Sequence, residues 1–426
     1  MSNTLDVAQT ANLYLEAVSD RIPKLVITSR KLASKFTNTR ATRVSNRLFR
    51  IVSQIALAGG DSRYVDLNGG ALPMGSPSAW IAGGVTPTAT SVATSWTQLV
   101  AMIGQKVADV AVQNVVSDAL GNLTEMLRNW IDIGLHTDGQ GTLATIQSAP
   151  ANNTVTLNPT PFGARNIEIG QTPDIVNAAT GVTRGQITIA NKTAYIGSAQ
   201  TFTYNTSNMA SGAQANDIVR YGGLTDGVPK WINGLKYLVS YSTVGELHGI
   251  PRSTPQVVAN GFDMGNSAIT RSAVELLLAQ RRARISEEYL GEFFWYGHDT
   301  TKNSLKEIGY DLTVITMADG KGKGFDPFFN NNDIKIEGKE FGIGEHASQT
   351  DLYLITPDCF GWVKFGEPFY PTVNGSRVWN TYNQAGTANL QMVSAYIDPR
   401  QAYLDNAPAQ GIISGLGSPA GFISGQ

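Results

Sequence analysis

A chain of 426 residues is long enough for two or three compact units of on the order of 100 to 200 residues each, so a lone small module is excluded. Apolar residues make up 42% of it and charged residues 15%, a balance that supports a sizeable core or extensive subunit contact and excludes a charge-rich disordered chain. With 32 Lys plus Arg against 34 Asp plus Glu the formal charge is -2; the molecule as a whole is no general polyanion binder, and any contact with nucleic acid must be local. The single cysteine, Cys359, excludes an intramolecular disulfide and a cysteine-rich zinc site and fits assembly in a reducing cytoplasm. No apolar run approaches the roughly 20 residues that span a bilayer, and the first residues lack the basic and apolar regions of a signal peptide. Neither secretion nor membrane insertion is expected.

Residues 4–20 carry Leu5, Ala8, Leu13, Leu15 and Val18 among polar partners, a helical pattern that ends near Pro23. Between Arg21 and Arg50 stand nine bases, Arg40, Arg43, Arg47 and Arg50 among them, with no acid between. Such a block reads as an arm lying against an acidic partner or, more blandly, as a solvated face. Residues 59–95 are dominated by Gly, Pro, Ser, Thr and Ala. A structureless stretch of that length inside a compact domain is uncommon, and Trp80 and Ile81 in its midst predict an extended loop or long hairpin that docks on a surface. A strand follows at 96–100.

The clearest helix covers about residues 106–135, with Val112, Val116, Ala119, Leu120, Leu123, Leu127, Trp130 and Ile131 at spacings of three and four. About thirty residues at 1.5 Å each make a spine of roughly 45 Å. Gly134, Gly139 and Gly141 signal its end and a chain reversal. From 149 to 221 the period changes to two, with strands expected at 154–157, 166–169, 185–189, 193–196, 201–204 and 217–221, as in a small inserted β-barrel or sandwich. A second helix is predicted over 267–295, with Arg271 and Glu275, and Arg284 and Glu288, at the spacing of surface pairs. The last third reads as strands, at 312–315, 351–356 and 390–397, of an α+β fold.

No catalytic constellation emerges. The four histidines, His136, His248, His298 and His346, are scattered, none at a metal-ligand spacing from another, and are expected to be surface or satisfied residues. Gly320-Lys321-Gly322-Lys323-Gly324 lacks the pattern of a phosphate loop. Ser414 lacks the flanking glycines of a nucleophile elbow, and its neighbourhood reads as a flexible tail. Glu287 with Glu288 and Glu337 with Glu340 read as solvated carboxylates, and Asn330-Asn331-Asn332-Asp333 as a turn. No enzyme, cofactor or metal is expected.

A basic arm, a Gly/Pro-rich excursion, a spine helix and a later α+β unit, in that order, resemble a tailed-bacteriophage major capsid protein of the HK97-like fold. The stretch Gly69-Gly70-Ala71-Leu72-Pro73-Met74-Gly75 followed by Val85-Thr86-Pro87 is similar to the extended loop of such proteins. Asp138-Gly139-Gln140-Gly141-Thr142-Leu143 after the spine, Tyr353-Leu354-Ile355-Thr356-Pro357, and Asp398-Pro399-Arg400 also fit their pattern. The resemblance implies an N-terminal arm at 1–58 with its basic part at 21–50, and an extended loop and return strand at 59–105. The spine helix of a peripheral domain follows at 106–148, an inserted β domain at 149–222, an axial domain with parts of the peripheral domain at 223–378, and C-terminal strands with a flexible tail at 379–426.

It further implies self-assembly as pentamers and hexamers into an icosahedral or prolate virion head around double-stranded DNA, formed in the host bacterial cytoplasm. A separate scaffolding protein, a portal and a decoration protein are the implied partners, with no membrane. Contacts to a neighbouring subunit fall to Leu72, Pro73, Met74, Trp80, Ile81 and Val85 of the loop, and contacts to DNA, scaffold or neighbour to Arg40, Arg43, Arg47 and Arg50. Some members weld their shells through a lysine of the loop; residues 59–95 contain none, so stabilisation by burial and strand pairing alone is expected. Two other readings compete: an encapsulin-like nanocompartment, which shares the fold, and a β-rich glycan-binding protein that would use Tyr195, Phe202, Tyr204 and Tyr221.

Overall fold

The computed structural model describes residues 4–5, 32–45, 48–56, 78–97, 112–151, 153–193, 200–207, 213–224, 231–285, 293–307, 335–336, 339–364, 366–372, 379–382 and 388–417. The first part of the chain forms β1 (Thr4–Leu5), β2 (Thr42–Ser45), β3 (Leu48–Ala56), β4 (Ala79–Val85), β5 (Thr88–Thr97) and helix α1 (Val112–His136). Next come β6 (Thr142–Ala151), β7 (Thr154–Leu157), β8 (Asp174–Val176), β9 (Thr183–Lys192), β10 (Gln200–Ser207) and β11 (Ile218–Arg220). The turn α2 (Leu235–Leu238), β12 (Glu246–Leu247), β13 (Ile250–Pro251), β14 (Asn260–Ser267), α3 (Arg271–Arg284), β15 (Phe294–Gly297) and α4 (Asp299–Glu307) follow. The chain closes with β16 (Lys335–Ile336), β17 (Lys339–Ile343), β18 (Leu352–Ile355), β19 (Phe360–Lys364), β20 (Trp379–Tyr382), β21 (Ala388–Leu404) and β22 (Gly411–Leu416). The α+β class read from the sequence is the class observed.

One sheet runs β1-β5-β21-β19, with β20 also on β21. The Thr/Ser/Ala run of β5, expected to lie within an extended loop or long hairpin as far as residue 95, is a strand held along its length against β21, from Thr88 opposite Arg400 to Thr97 opposite Gln391. Its small side chains hid it; the ladder of main-chain hydrogen bonds makes it. Helix α1 lies across β5 and β21 and buries Leu123, Leu127, Trp130 and Ile131, the stripe that its spacing predicted. It passes through Gly134 and ends at His136. Reversal follows where Gly139 and Gly141 take φ of 81° and 79°, a left-handed conformation that L side chains avoid. Residues 106–111 of the predicted helix lie outside the described residues, as do those of the predicted 4–20 helix apart from Thr4 and Leu5, which pair in parallel with Ser95 and Trp96.

The inserted β unit is a closed barrel, β10-β7-β6-β11-β8-β9. It begins at Thr142, earlier than the boundary at 149, because β6 supplies the strand that β7 and β11 both need as a partner. Leu143, Ile146, Val155, Leu157, Ile175, Ile187, Ile189, Phe202 and Val219 are buried within the main core, as the period of two required. The expected strand at 166–169 is irregular backbone between two turns, and of the one at 193–196 only Thr193 lies among the described residues.

A second sheet runs β14-β22-β18-β15-β17-β16, with α3 packed on β14 and β22. Two expectations fail here. The predicted helix at 267–295 stops at Arg284, and Phe294–Gly297 is a strand buried at every position. Covered on both faces, it shows no alternation by which sequence could separate it from a buried helix. Ile412-Ile413-Ser414, read as a flexible tail, sits in β22 between β14 and β18, with Ile413 fully buried. Residues 411–416 therefore return to this sheet.

Arg271 and Glu275 pair at 2.9 Å on the exposed side of α3, worth at most about 1 kcal/mol. Arg284 donates to Asn260 Oδ1 at 3.0 Å and to the carbonyls of Val258 and Pro255; its expected partner Glu288 lies outside the described residues. Arg281, fully buried, donates to the carbonyl of Ala409 and to Thr356 Oγ1, and burial pulls its pKa down to about 10.

Candidate assembly surfaces and a buried polar junction

The excursion predicted from residue 59 has its arms in β3 and β4, which pair antiparallel from Phe49 opposite Val85 to Ala56 opposite Ala79, with β2 added beside β3. Residues 48–56 thus belong to the excursion rather than to the arm. Residues opposite one another share a face. On the inner face Phe49, Ile51 and Val85 pack with Val363 and Tyr403, and Ile81 is partly buried against the main core. Val85 therefore serves the chain's own interior and is withdrawn from the surface on which a neighbour can land. On the outer face Trp80 is 60% and Val52 59% exposed, flanking Ala82, and Val44 of β2 is exposed as well. Leu72, Pro73 and Met74 lie outside the described residues.

The arm is tied to its own chain from Leu32 onward. Leu32 is fully buried; the Phe36 ring stacks on Phe360 at 4.9 Å and lies 5.5 Å from Trp362, and Trp362 Nε1 donates to the carbonyl of Ala33. Asn38 is gripped on both sides, accepting from Tyr403 Oη at 2.9 Å and donating from Nδ2 to Asp405 Oδ2 at 2.6 Å and to the carbonyl of Asp358. Arg40 donates to the same Asp405 carboxylate at 3.3 Å. Burial pushes the Asp405 carboxyl pKa up, against the pull of Asn38 and Arg40, so Arg40 answers a desolvated charge within its own subunit. Arg43 is exposed and donates to the carbonyl of Ser45, Arg50 is exposed on β3, and Arg47 lies outside the described residues.

Three of the histidines that looked scattered converge where α1, the barrel and the second sheet meet. His136, at the end of α1, is buried, with Nδ1 2.7 Å from the carbonyl of Asp132 and Nε2 2.7 Å from Tyr296 Oη. A neutral ring fits both: Nδ1–H donates to the carbonyl, and the Tyr296 hydroxyl donates to Nε2. His346 lies 6.4 Å from it, ring to ring, with Nδ1 3.0 Å from Asn166 Oδ1 and Nε2 3.2 Å from Asn129 Oδ1. His298, following β15, accepts at Nδ1 from the Thr300 amide.

Beside them Arg165, buried, donates to four carbonyls, Phe162, Pro161, Glu345 and Ala347, clamping a turn of the barrel to the 345–347 turn. Burial pulls the pKa of His136 down, with Asp132 opposing. It takes His298 and His346 down to about 3, aided by Arg165 and by the other histidines. Gly344 has no room for a side chain here, since a Cβ would stand 2.2 Å from Tyr296 Oη. No spacing in the sequence announces this cluster. His248, the fourth histidine, is buried separately and accepts from the Leu404 amide.

Among the described residues there is no group of three His, Cys, Asp or Glu able to hold a metal ion, and no helix is long and apolar enough to cross a membrane. An open groove of about 720 Å³ is lined by Lys236, Tyr241, Asp263, Asp351 and Ser414 among others; Ser414 Oγ lies 3.2 Å from Tyr241 Oη. Cys359 is buried, and burial raises its thiol pKa to about 12, away from nucleophilic use. Phe202 is fully buried, Tyr204 packs on the core, and Tyr221 stacks on Trp231 at 4.3 Å, so these three rings form no open platform for a sugar. Tyr195, Glu287, Glu337, Gly320-Lys321-Gly322-Lys323-Gly324 and Asn330-Asn331-Asn332-Asp333 lie outside the described residues, as does the strand expected at 312–315.

No family model matches the chain, and no curated protein does. Solved structures do. The subunit of the cyanophage A-1(L) capsid is similar over 98% of this chain and all of its own, at 12% identity and a TM-score of 0.57. The capsid of the native GTA particle is similar over 93% of this chain and 94% of its own, at 7% identity and a TM-score of 0.50. An encapsulin complex from Synechococcus elongatus PCC 7942 covers 95% of this chain at 10% identity, but its TM-score of 0.38 is too low to carry an argument. With its arm, two-stranded excursion, spine helix, inserted barrel and second sheet, the chain has the HK97-like α+β fold of phage capsid subunits.

Proposed function

We propose that the chain is the major capsid protein of a tailed bacteriophage, assembling as pentamers and hexamers into an icosahedral or prolate head around double-stranded DNA. The observation that carries this reading is the likeness to a chain of the cyanophage A-1(L) capsid, spanning 98% of this chain. A shell closes when each subunit offers several weak heterologous contacts that repeat under symmetry. The outer face of β3 and β4, with Trp80 and Val52 exposed, is one such contact, and Leu72, Pro73 and Met74 are proposed to add to it. A separate scaffolding protein, a portal and a decoration protein are the proposed partners, with assembly in the host cytoplasm and the finished protein in the virion. Its role is structural rather than enzymatic.

Expressed with and without a candidate scaffold, the chain is expected to sediment as closed shells or as pentamers and hexamers visible by negative-stain electron microscopy. A stable monomer under both conditions would overturn self-assembly. Packaged DNA is proposed to meet the arm non-specifically. Because Arg40 is held by Asp405, the contact falls to Arg43 and Arg47 of the arm and to Arg50 beside them on β3, and replacing these three with Gln is expected to flatten the salt dependence of scaffold or DNA association by up to one ion per lost phosphate contact. An unchanged salt slope in a filter-binding or sedimentation titration would remove the arm from that role.

A further inference from the structure

We propose that His248 is a positioning residue that fixes the angle at which the β2–β3–β4 ribbon leaves the subunit. The inference goes beyond the capsid reading, and only its consequence for shells rests on that reading. The ribbon is held near its root at two places. At one, the first sheet supplies Val363 and Tyr403, which pack with Phe49, Ile51 and Val85. At the other stands the hairpin β12–β13, whose Leu247 and Ile250 are buried in the main core. There the edge of β4 away from β3 meets the hairpin, and the Gly84 amide donates to the carbonyl of His248 at 2.8 Å.

The close approach is written into the sequence at Gly83, which is buried. A Cβ there would stand 3.0 Å from the carbonyl oxygen of His248, 3.2 Å from its Cβ and 3.1 Å from Ile250 Cδ1, so a branched side chain would push the ribbon off the hairpin. His248 in turn is tied to two further parts of the chain. Its amide donates to Tyr237 Oη, in α2, at 3.1 Å. Its buried ring accepts at Nε2 from the amide of Leu404, at the end of β21, at 3.2 Å. One residue thus links the ribbon to α2 and to the first sheet.

The backbone gives an independent sign that this position is held for its ring. His248 and Gly249 are the central residues of the hairpin turn, with φ of 55° and 79°. Both are positive, as a type I′ turn requires, and Asn, Asp or Gly suits such positions best. A histidine there is disfavoured by its own Cβ, and such strain persists where the surroundings hold it; here Tyr237, Leu404 and Gly84 do so. A single support would leave the ribbon free to pivot, and two separate supports set its direction. Trp80 stands four residues beyond Gly84, about 14 Å along the strand. A pivot of about 10° at the root would carry it by roughly 2 Å, where a gap of about 0.5–1 Å already forfeits much of a packing contact.

The test measures the ribbon's direction in the unassembled full chain, by double electron–electron resonance between nitroxides at V52C, exposed on the ribbon, and E275C, exposed on α3; the native Cys359 is buried. In this labelled background H248N keeps a residue suited to the turn and loses the ring's bond to Leu404. It is expected to widen the distance distribution about twofold or more while the urea midpoint stays near the parent's. G83V, which wedges the ribbon from the hairpin, is expected to shift the mean by roughly 2 Å or more, the displacement of a 10° pivot. A distribution in H248N as narrow as the parent's, or one widened only together with a general loss of stability, would overturn the assignment. If G83V does not fold, H248N still decides. Without labels, H248N is expected to give fewer closed shells with a wider spread of diameters by negative-stain electron microscopy, and shells of unchanged yield and diameter would overturn the link from ribbon angle to assembly. A parent chain that forms no shells would count against the capsid reading, and the distance measurement would still decide the role of His248.

Discussion

Replacing Arg165 with alanine is expected to destabilise the subunit by about 3–5 kcal/mol, read as a fall in the urea midpoint of unassembled protein, with the earliest loss of protection in residues 161–167. The guanidinium is buried and donates to four carbonyls, two in its own turn and two in the 345–347 turn. Removing it strands these acceptors away from water, and the cost of an unmade bond at a buried carbonyl exceeds the net gain from making it. Arg165→Lys should recover less than half the loss, since one ammonium on a single stem cannot reproduce the planar fork. A loss below about 1 kcal/mol for the alanine variant would mean that water enters and satisfies the carbonyls, and the barrel would then be held by its apolar contacts instead.

The second large effect is on assembly rather than on folding. Trp80→Ala is expected to leave the melting of the isolated subunit within about 0.5 kcal/mol of the parent, because the ring is 60% exposed and touches little of its own chain. It is expected to raise the concentration needed for shell formation by tenfold or more. An aromatic anchor at the centre of an interface commonly carries about 2 kcal/mol or more of each contact, which is roughly a thirtyfold weakening per contact, repeated at every neighbour around the shell. Trp80→Phe should restore part of the yield. Light scattering of subunits across a concentration series checks it, and an unchanged onset for Trp80→Ala would remove the outer face of β3 and β4 from the list of contacts.

Features governed by local periodicity were legible before any fold was known. Helix α1 announced itself through Leu123, Leu127, Trp130 and Ile131, the barrel through its alternating strands, and the excursion through a run of Gly, Pro and Thr with Trp80 in its midst. The arm was legible as a charge block but not as an anchored one. Nothing in the sequence showed that Phe36 would stack on Phe360 or that Arg40 would be taken by Asp405, because those partners lie more than 300 positions away. The strand Phe294–Gly297 was missed because it is buried at every position, so its pattern carries no period that separates strand from helix, and β22 because its small residues around Ser414 read as a tail.

By itself, then, the sequence determined the order of parts, their type where one face meets water and the other the core, and the absence of a local catalytic motif. Only the tertiary structure decided which charges are spent within the subunit, which apolar side chains are left for a neighbour, and that the buried His136 and Arg165 meet the partly buried His298 and His346 at one site. Periodicity is a property of neighbours along the chain, and an amphipathic pattern survives without its partner. Desolvation and Coulomb coupling are properties of neighbours in space, and they come into being when distant segments of the chain close on one another.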